Sequence, residues 1–429
     1  MVRIEQLHQR FRECTGPCTD TRAVAAGCMF FALKGPRFNA NAFAPEALEK
    51  GALYAVVDEA ESVISDRCLL VPDVLSALQE LALQHRREFS IPLLAITGSN
   101  GKTTTKELAY AVMASDRSSL ATTGNLNNHI GVPLTLLRIN TSHRFAIIEM
   151  GASKPGDIAE LMALAEPTHG LITNIGRAHL EGFGGYEGVL RTKTELYRHL
   201  AASAGVVFVN ADDAVLMGES KHLMRRTYGA SGMASTVGAD ASDGAFLNFR
   251  FRGKDGRDRE VSTRLIGAYN LPNALAAVAV GQEFGVADDL IARALNEYVP
   301  SNNRSQFLDT GRNHVVADAY NANPSSMAAA LRHFAAIPTD RKRLAILGDM
   351  LELGADAMHE HLSVVALAKE LGLQTWLVGA EFSATNHEGR TFRDVEEAIE
   401  DARSEPVTGK LVLLKGSRGV RLEALIPFL

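Results

Sequence analysis

Short apolar runs alternate with longer stretches whose apolar positions recur every three to four residues, and this alternation sets the fold class. Residues 28–33, 54–57, 93–96, 145–148, 170–175 and 206–210 read as buried strands, each a block of Val, Ile, Leu, Phe and Ala bounded by polar or glycine turns. Residues 41–51, 74–89, 106–114 and 269–284 carry helical spacing, and the first of these stops at Gly51. Strand, helix, strand in succession predicts a mostly parallel sheet. Residues 230–265 break the rhythm and read as hairpin material turning at Gly253-Lys254-Asp255-Gly256. Beyond residue 304, strands at 315–318, 344–348, 375–379 and 410–416 alternate with helices, and three of the four end on glycine. That punctuation is Rossmann-like, but G-x-G-x-x-G is missing, so a dinucleotide is not the expected ligand. With a boundary at Ser90-Ile91-Pro92, the expected layout is three α/β domains spanning 1–89, 90–303 and 304–429.

Chemistry enters at Leu93-Leu94-Ala95-Ile96-Thr97-Gly98-Ser99-Asn100-Gly101-Lys102-Thr103-Thr104. An apolar strand runs into a glycine turn, then into Lys-Thr and a helical pattern. Such a turn lets backbone N–H groups approach phosphates, with the following helix N-terminus favouring negative charge. Lys102 is placed to reach terminal phosphates and a threonine hydroxyl to face Mg²⁺. The general motif begins with a glycine where this chain has Ile96, so the loop is a shortened variant, T-G-x-x-G-K-T-T. The strand at 145–148 ends on Glu149, and an acidic residue at the tip of a neighbouring strand is where a Walker-type site holds magnesium. The central domain is thus expected to be a P-loop mononucleotide-binding unit.

Composition narrows the class further. The chain has 429 residues, with 44 Lys and Arg against 50 Asp and Glu, a net charge of −6. Nothing in that balance draws it to nucleic acid or to an anionic membrane. No apolar run is long enough to span a bilayer, and Met1 to Gln6 lack an apolar signal core, so a cytoplasmic location is expected. Cys14, Cys18, Cys28 and Cys68 lack zinc spacing and are expected to be reduced thiols.

Several further segments have no role in nucleotide binding alone. They are Thr123 to Pro133, dense in side-chain amides, Glu149-Met150-Gly151, Thr173-Asn174-Ile175-Gly176 with His179-Leu180-Glu181, and Lys193-Thr194-Glu195-Leu196. Asn302 to Gln306, Asp318 to Ser326, Gly348 to Gly354 and Lys415-Gly416-Ser417-Arg418-Gly419 complete the set. Together they resemble the Mur ligases of bacterial cell-wall synthesis, across essentially the whole chain. Tyr320-Asn321-Ala322-Asn323-Pro324-Ser325-Ser326 and Gly348-Asp349-Met350-Leu351-Glu352-Leu353-Gly354 resemble the branch that adds D-alanyl-D-alanine. Asp20-Thr21-Arg22 and Phe30 to Gly35 resemble the family's UDP-binding segment, although Asn39-Ala40-Asn41 stands where relatives often carry Asp-Gly-His.

The resemblance implies ATP-dependent phosphorylation of a peptide carboxylate, then attack by an amine, on UDP-N-acetylmuramoyl-tripeptide and D-Ala-D-Ala by a monomer. It implies that Thr97, Gly98, Ser99, Asn100, Gly101, Lys102, Thr103 and Thr104 hold ATP with Asn270, Asn273, Arg304 and Asp318. Two Mg²⁺ ions are implied at Thr103, Glu149, His179 and Lys193, the last as a carbamate derived from CO₂. Lys102, Lys193, His179 and Arg304 are the implied catalytic residues. Thr21, Arg22, Lys34 and Asn41 are implied on the UDP side, Asn127 and Asn128 along the acceptor path, and Asn321, Asn323, Ser325, Lys415 and Arg418 on the dipeptide side. The alternatives are another amino-acid-adding Mur ligase, whose Asp-Asn-Pro-Arg signature this chain lacks, and a P-loop ATPase switch without ligase chemistry.

Overall fold

The computed structural model describes residues 1–176, 180–301, 304–385 and 389–429. Among these residues the strands form a four-stranded sheet, a nine-stranded sheet, a six-stranded sheet and a two-stranded ribbon, Lys34–Gly35 with Phe38–Asn39. The first sheet is parallel and runs Pro17–Cys18, Met29–Phe31, Tyr54–Val57, Cys68–Leu70. The central sheet runs from Ser119–Ala121 through Phe145–Glu149, Leu93–Thr97, His169–Ile172, Val206–Asn210 and Met224–Gly229 to Thr236–Asp240, all parallel. Phe246–Arg252 and Asp258–Ile266 extend it antiparallel, so the hairpin stretch joins the parallel sheet rather than standing apart. The third sheet is parallel from His314–Ala317 through Lys410–Lys415, Lys342–Gly348 and Gln374–Val378 to Arg390–Phe392, with Gln306–Asp309 antiparallel at its edge.

Strand order places the site. Leu93–Thr97 lies between Phe145–Glu149 and His169–Ile172, so the chain crosses to one side of it first and to the other side later. An open α/β sheet has its crevice at such a reversal, beyond the C-terminal strand ends. The Thr97 to Thr104 loop leaves the sheet at that point. Helix Lys102–Ala114 begins four residues earlier than its apolar pattern suggests, because Gly101 turns left-handed at φ 79° and starts the helix at the lysine. Residues 41–51 divide into a 3₁₀ turn, Ala40–Phe43, and helix Ala44–Glu49, which has proline in its first turn. Strands Ser119–Ala121 and Met224–Gly229 escaped the pattern reading, one for brevity and the other because its Arg225, Arg226 and Thr227 are polar.

Helix Val74–Arg87 joins the first sheet to the second. Asp73 caps it by accepting from the Ser76 N–H at 2.7 Å. At its far end Arg86, 6% exposed, donates to the carbonyls of Ala165, Phe89, Ile91 and Glu166. His85 bonds the Ile139 carbonyl through Nε2 at 2.8 Å, and its Nδ1 lies 3.3 Å from His8 Nε2. Glu88 completes a cluster with these histidines but is engaged by Arg12. This network is a structural joint, with desolvation holding both histidines below their usual pKa and hence neutral.

Behind the loop, helix Lys102–Ala114 packs on the alanine-rich helix Leu271–Glu283, whose Ala274, Ala276, Ala277 and Ala279 are buried. Small residues bring the backbones close, and that closeness lets Asn273 reach the loop. A Cβ at Gly281 would lie 2.6 Å from Val112 Cγ1 and 2.8 Å from Ile291 Cδ1. Glycine to alanine inside a helix ordinarily stabilises by about 0.5–1 kcal/mol. Here overpacking reverses the sign: Gly281→Ala is expected to destabilise by about 1–3 kcal/mol, read as a lowered urea midpoint. An unchanged or raised midpoint would show that the helix pair has room to spare.

Candidate active site

The loop is tightly packed at both of its glycines. A Cβ at Gly98 would sit 2.0 Å from Thr173 Oγ1, and one at Gly101 would sit 2.5 Å from Asn273 Oδ1, so both positions require glycine. Thr173 Oγ1 donates to the Asn100 carbonyl at 2.6 Å, and Asn174 Oδ1 accepts from the Asn100 N–H at 3.1 Å. Lys102 Nζ folds back onto the carbonyls of Gly98 and Ser99 at 2.7 and 3.2 Å. Desolvation holds its pKa below the usual lysine value, with Glu149 opposing the shift and Arg304 adding to it. Carbonyls are weak partners for an ammonium, so its charge is available to an anion.

Beneath the lysine lies Glu149, 1% exposed. Its Oε2 accepts from Thr103 Oγ1 at 2.9 Å and its Oε1 from Asn127 Nδ2 at 2.8 Å. Lys106 Nζ stands 3.8 Å from Oε2 and donates to the Thr122 carbonyl at 2.7 Å. The pattern reading passed over Lys106, since a lysine on an amphipathic helix normally faces water. Asn128 Oδ1 accepts from the backbone N–H groups of Ile130 and Gly131 and so shapes the amide-rich loop.

The loop opens into a cavity of about 1170 Å³, larger than most single-ligand pockets. Ser99 to Thr104, Asn127, Asn128, Glu149, Asn270 and Asn273 line it from the central unit, and Arg304, Asp318, Asn321, Asn323, Ser325 and Lys415 from the chain beyond. Asn273 Nδ2 donates to Asn270 Oδ1 at 2.8 Å, and Asn273 Oδ1 accepts from Thr105 at 3.1 Å. Ser305, left-handed at φ 48°, donates its N–H to Asp318 Oδ1 at 3.3 Å while its hydroxyl lies 3.3 Å from Asn270 Nδ2. Asp318 Oδ2 also holds buried Lys415 at 2.6 Å. Lys415 therefore arrives with its charge already matched.

Some expected groups are engaged elsewhere. Thr97 is buried and donates its hydroxyl to the Met150 carbonyl at 2.8 Å, which leaves only its backbone near the cradle. Asn323 caps helix Pro324–Ala336 through Oδ1, while its amide donates to Asn100 Oδ1 at 2.6 Å, a direct bond between the phosphate loop and the third sheet's unit. Thr21, Arg22, Lys34 and Asn41 do not line the cavity. Arg22 pairs with Asp20, Lys34 with Asp58 and Glu59, and Asn41 with Asn39 and Asp58. Arg418 is exposed, 3.4 Å from the Tyr320 hydroxyl. His179 lies outside the described residues.

Lys193 is 2% exposed at the end of helix Tyr186–Lys193, with Nζ 5.5 Å from the Phe183 ring centre. Among the described residues no carboxylate pairs with it. Desolvation, reinforced by the charge of Lys102, lowers its pKa to about 7. A buried lysine in that state is an amine ready for chemistry.

Comparison with known proteins agrees with this geometry. Residues 96–281 match the Mur ligase middle domain, and residues 303–418 match the Mur ligase glutamate ligase domain. The chain is 34% identical over 423 residues to the UDP-N-acetylmuramoyl-tripeptide–D-alanyl-D-alanine ligase of Escherichia coli, covering 95% of this chain and 92% of the relative. The Bacillus subtilis enzyme of the same name is 30% identical over 427 residues, covering 96% and 92%. Among solved structures, MurF from Acinetobacter baumannii superposes with a TM-score of 0.85 at 30% identity, covering 99% of this chain and 97% of that one. MurF ligase from Thermotoga maritima in complex with ADP gives 0.84 at 29% identity, covering 96% of each. On the family models and on the length of these matches, the chain belongs to the Mur ligase family.

Proposed function

We infer that the protein is an ATP-dependent ligase that joins D-alanyl-D-alanine to UDP-N-acetylmuramoyl-tripeptide, giving the pentapeptide, ADP and phosphate for peptidoglycan synthesis. One observation carries the ATP chemistry: Thr103 and Glu149 meet at 2.9 Å under a glycine cradle whose lysine has, among the described residues, no carboxylate in hydrogen-bond reach. The peptide substrates come from the relatives' activity. A hydroxyl beside a buried carboxylate is a hard-oxygen donor set that suits Mg²⁺. Bound there, Mg²⁺ supplies charge neutralisation for the phosphates.

The residues of the chain divide the remaining work. Lys102 and Arg304 bind the γ-phosphoryl group as the acceptor's carboxylate oxygen bonds to phosphorus and the bridging oxygen leaves with ADP. The dipeptide amine then adds to the acyl carbon, phosphate departs with the carbon–oxygen bond, and the nitrogen loses a proton. Asn270 and Asn273 border the adenine side, and Asp318, fixed by Lys415, presents a carboxylate to the ribose. Asn127 and Asn128 flank the acceptor's route, while Asn321, Ser325 and Arg418 serve the dipeptide side, with Asn323 tying that side to the loop. Thr21, Arg22, Lys34 and Asn41 belong to the UDP side in residues 1–89, with ATP held by 90–303 and the dipeptide by 304–429. His179 is assigned to magnesium with Lys193 as its carbamate. Cell shape and division depend on such a product, and the expected location is the cytoplasm.

In the direct test, ADP release with UDP-N-acetylmuramoyl-tripeptide is expected to rise strongly on adding D-Ala-D-Ala. Stimulation by a single amino acid instead would sink the dipeptide assignment. Lys102→Ala is expected to lower kcat by about 10²–10³-fold, as for loss of a transition-state charge contact, in a single-turnover measurement of acceptor phosphorylation.

The Lys193 prediction has a definite sign. Only the neutral amine adds CO₂, and a lysine of ordinary pKa stays protonated up to about pH 10.4. With its pKa near 7, Lys193 becomes neutral as pH rises through 7, so carbamate should form more readily at pH 8 than at pH 6. A ¹³C carbamate resonance from labelled bicarbonate should grow across that window and vanish in Lys193→Ala. Activity lost in that variant should return in part with a short carboxylic acid. Full activity without rescue would remove the carbamate.

A further inference from the structure

We infer that Tyr320 is a positioning residue whose ring aims the Arg304 guanidinium into the nucleotide cavity. This rests on reading Arg304 as a phosphoryl-binding arginine. Arg304 Cζ lies 3.5 Å from the centre of the Tyr320 ring, the shortest cation–ring distance among the described residues. At van der Waals separation from the ring centre, a guanidinium stacks face to face. Stacking points its five N–H donors outward in the guanidinium plane. Among the described residues, no hydrogen bond or ion pair uses those donors. Arg304 is therefore oriented by a surface that consumes none of its hydrogen-bonding capacity, as an anion-binding fork requires.

The position of the ring makes this conditional. Tyr320 belongs to the turn between strand His314–Ala317 and helix Pro324–Ala336, and it lines the cavity beside Asp318 and Asn321. Arg418 approaches the same ring, with Cζ 5.3 Å from its centre and Nη1 3.4 Å from its hydroxyl. Two cations on one ring repel each other, and the ring's negative face offsets that repulsion. The ring thus keeps two guanidinium groups next to the cavity. Arg304 is also close enough to Lys102 to help lower its pKa, so the aimed group acts on the phosphate end of the site.

Four variants of the full-length protein test the inference by ADP release at saturating D-Ala-D-Ala: Y320F, Y320L, R304A and Y320L/R304A. Loss of the stack in Y320L should lower kcat about tenfold, with the KM for the UDP-tripeptide held within about twofold. Y320F keeps the ring and should remain within about twofold of the wild type in kcat. R304A should lose about a hundredfold, and adding Y320L to it should cost nothing more. Wild-type kcat in Y320L beside an impaired R304A overturns the role of Tyr320 alone. Wild-type kcat in R304A overturns the reading of Arg304 beneath it. A further loss in the double variant, or a Y320F as impaired as Y320L, also overturns the platform. Should Y320L melt early, Y320N, ringless and polar, repeats the comparison with the same expectations.

Discussion

A carboxylate 1% exposed to solvent needs hydrogen-bond partners, and Glu149 is the group around which the site is arranged. The partners come from two segments. Thr103 comes from the phosphate-loop helix, Asn127 from the amide-rich loop, and Lys106 stands behind both. Satisfying one buried carboxylate therefore fixes the relative placement of the glycine loop and the amide-rich loop. The parallel pairing of Leu93–Thr97 with Phe145–Glu149, which sets Ile96 opposite Glu149, delivers the carboxylate to that depth.

The positive charges are handled unevenly. Lys415 is neutralised by Asp318 and Arg86 is enclosed by carbonyls, so both serve as structure. Lys102 and Lys193 are buried or half-buried with depressed pKa values and no carboxylate in hydrogen-bond reach among the described residues. Unmatched buried charge destabilises a fold, and an anionic ligand that matches it stabilises the folded state in return. Among the described residues the protein thus leaves Lys102 without an ion pair at the glycine loop and matches Lys415 with Asp318.

Much of this was legible from the chain alone, for reasons that differ by residue. The strands around the phosphate loop are continuous apolar runs because both sheet faces are covered, and such runs stand out in sequence. Gly98 and Gly101 were legible because backbone contact with Thr173 and Asn273 tolerates nothing larger. Lys106 and Tyr320 were not, since their significance depends on residues distant in sequence that only the folded chain brings near: Glu149 for one, and Arg304 and Arg418 for the other. Thr97 is a different case. Its place in the motif suggested phosphate contact, while strand pairing directs its hydroxyl to Met150. Met224–Gly229 was hidden because its polar residues read as loop until Arg226 is seen to reach Glu283.

The left-handed backbone at Ser305 is a junction between the central and third sheets' units. It is bonded to Asn270 on one side and Asp318 on the other, and its carbonyl accepts from the Ile266 N–H at 3.2 Å. Arg304 is the adjacent residue, and Asn323 makes a second tie by donating to Asn100. Two separated ties, at Ser305 and at Asn323, therefore hold the chain beyond residue 304 against the central unit.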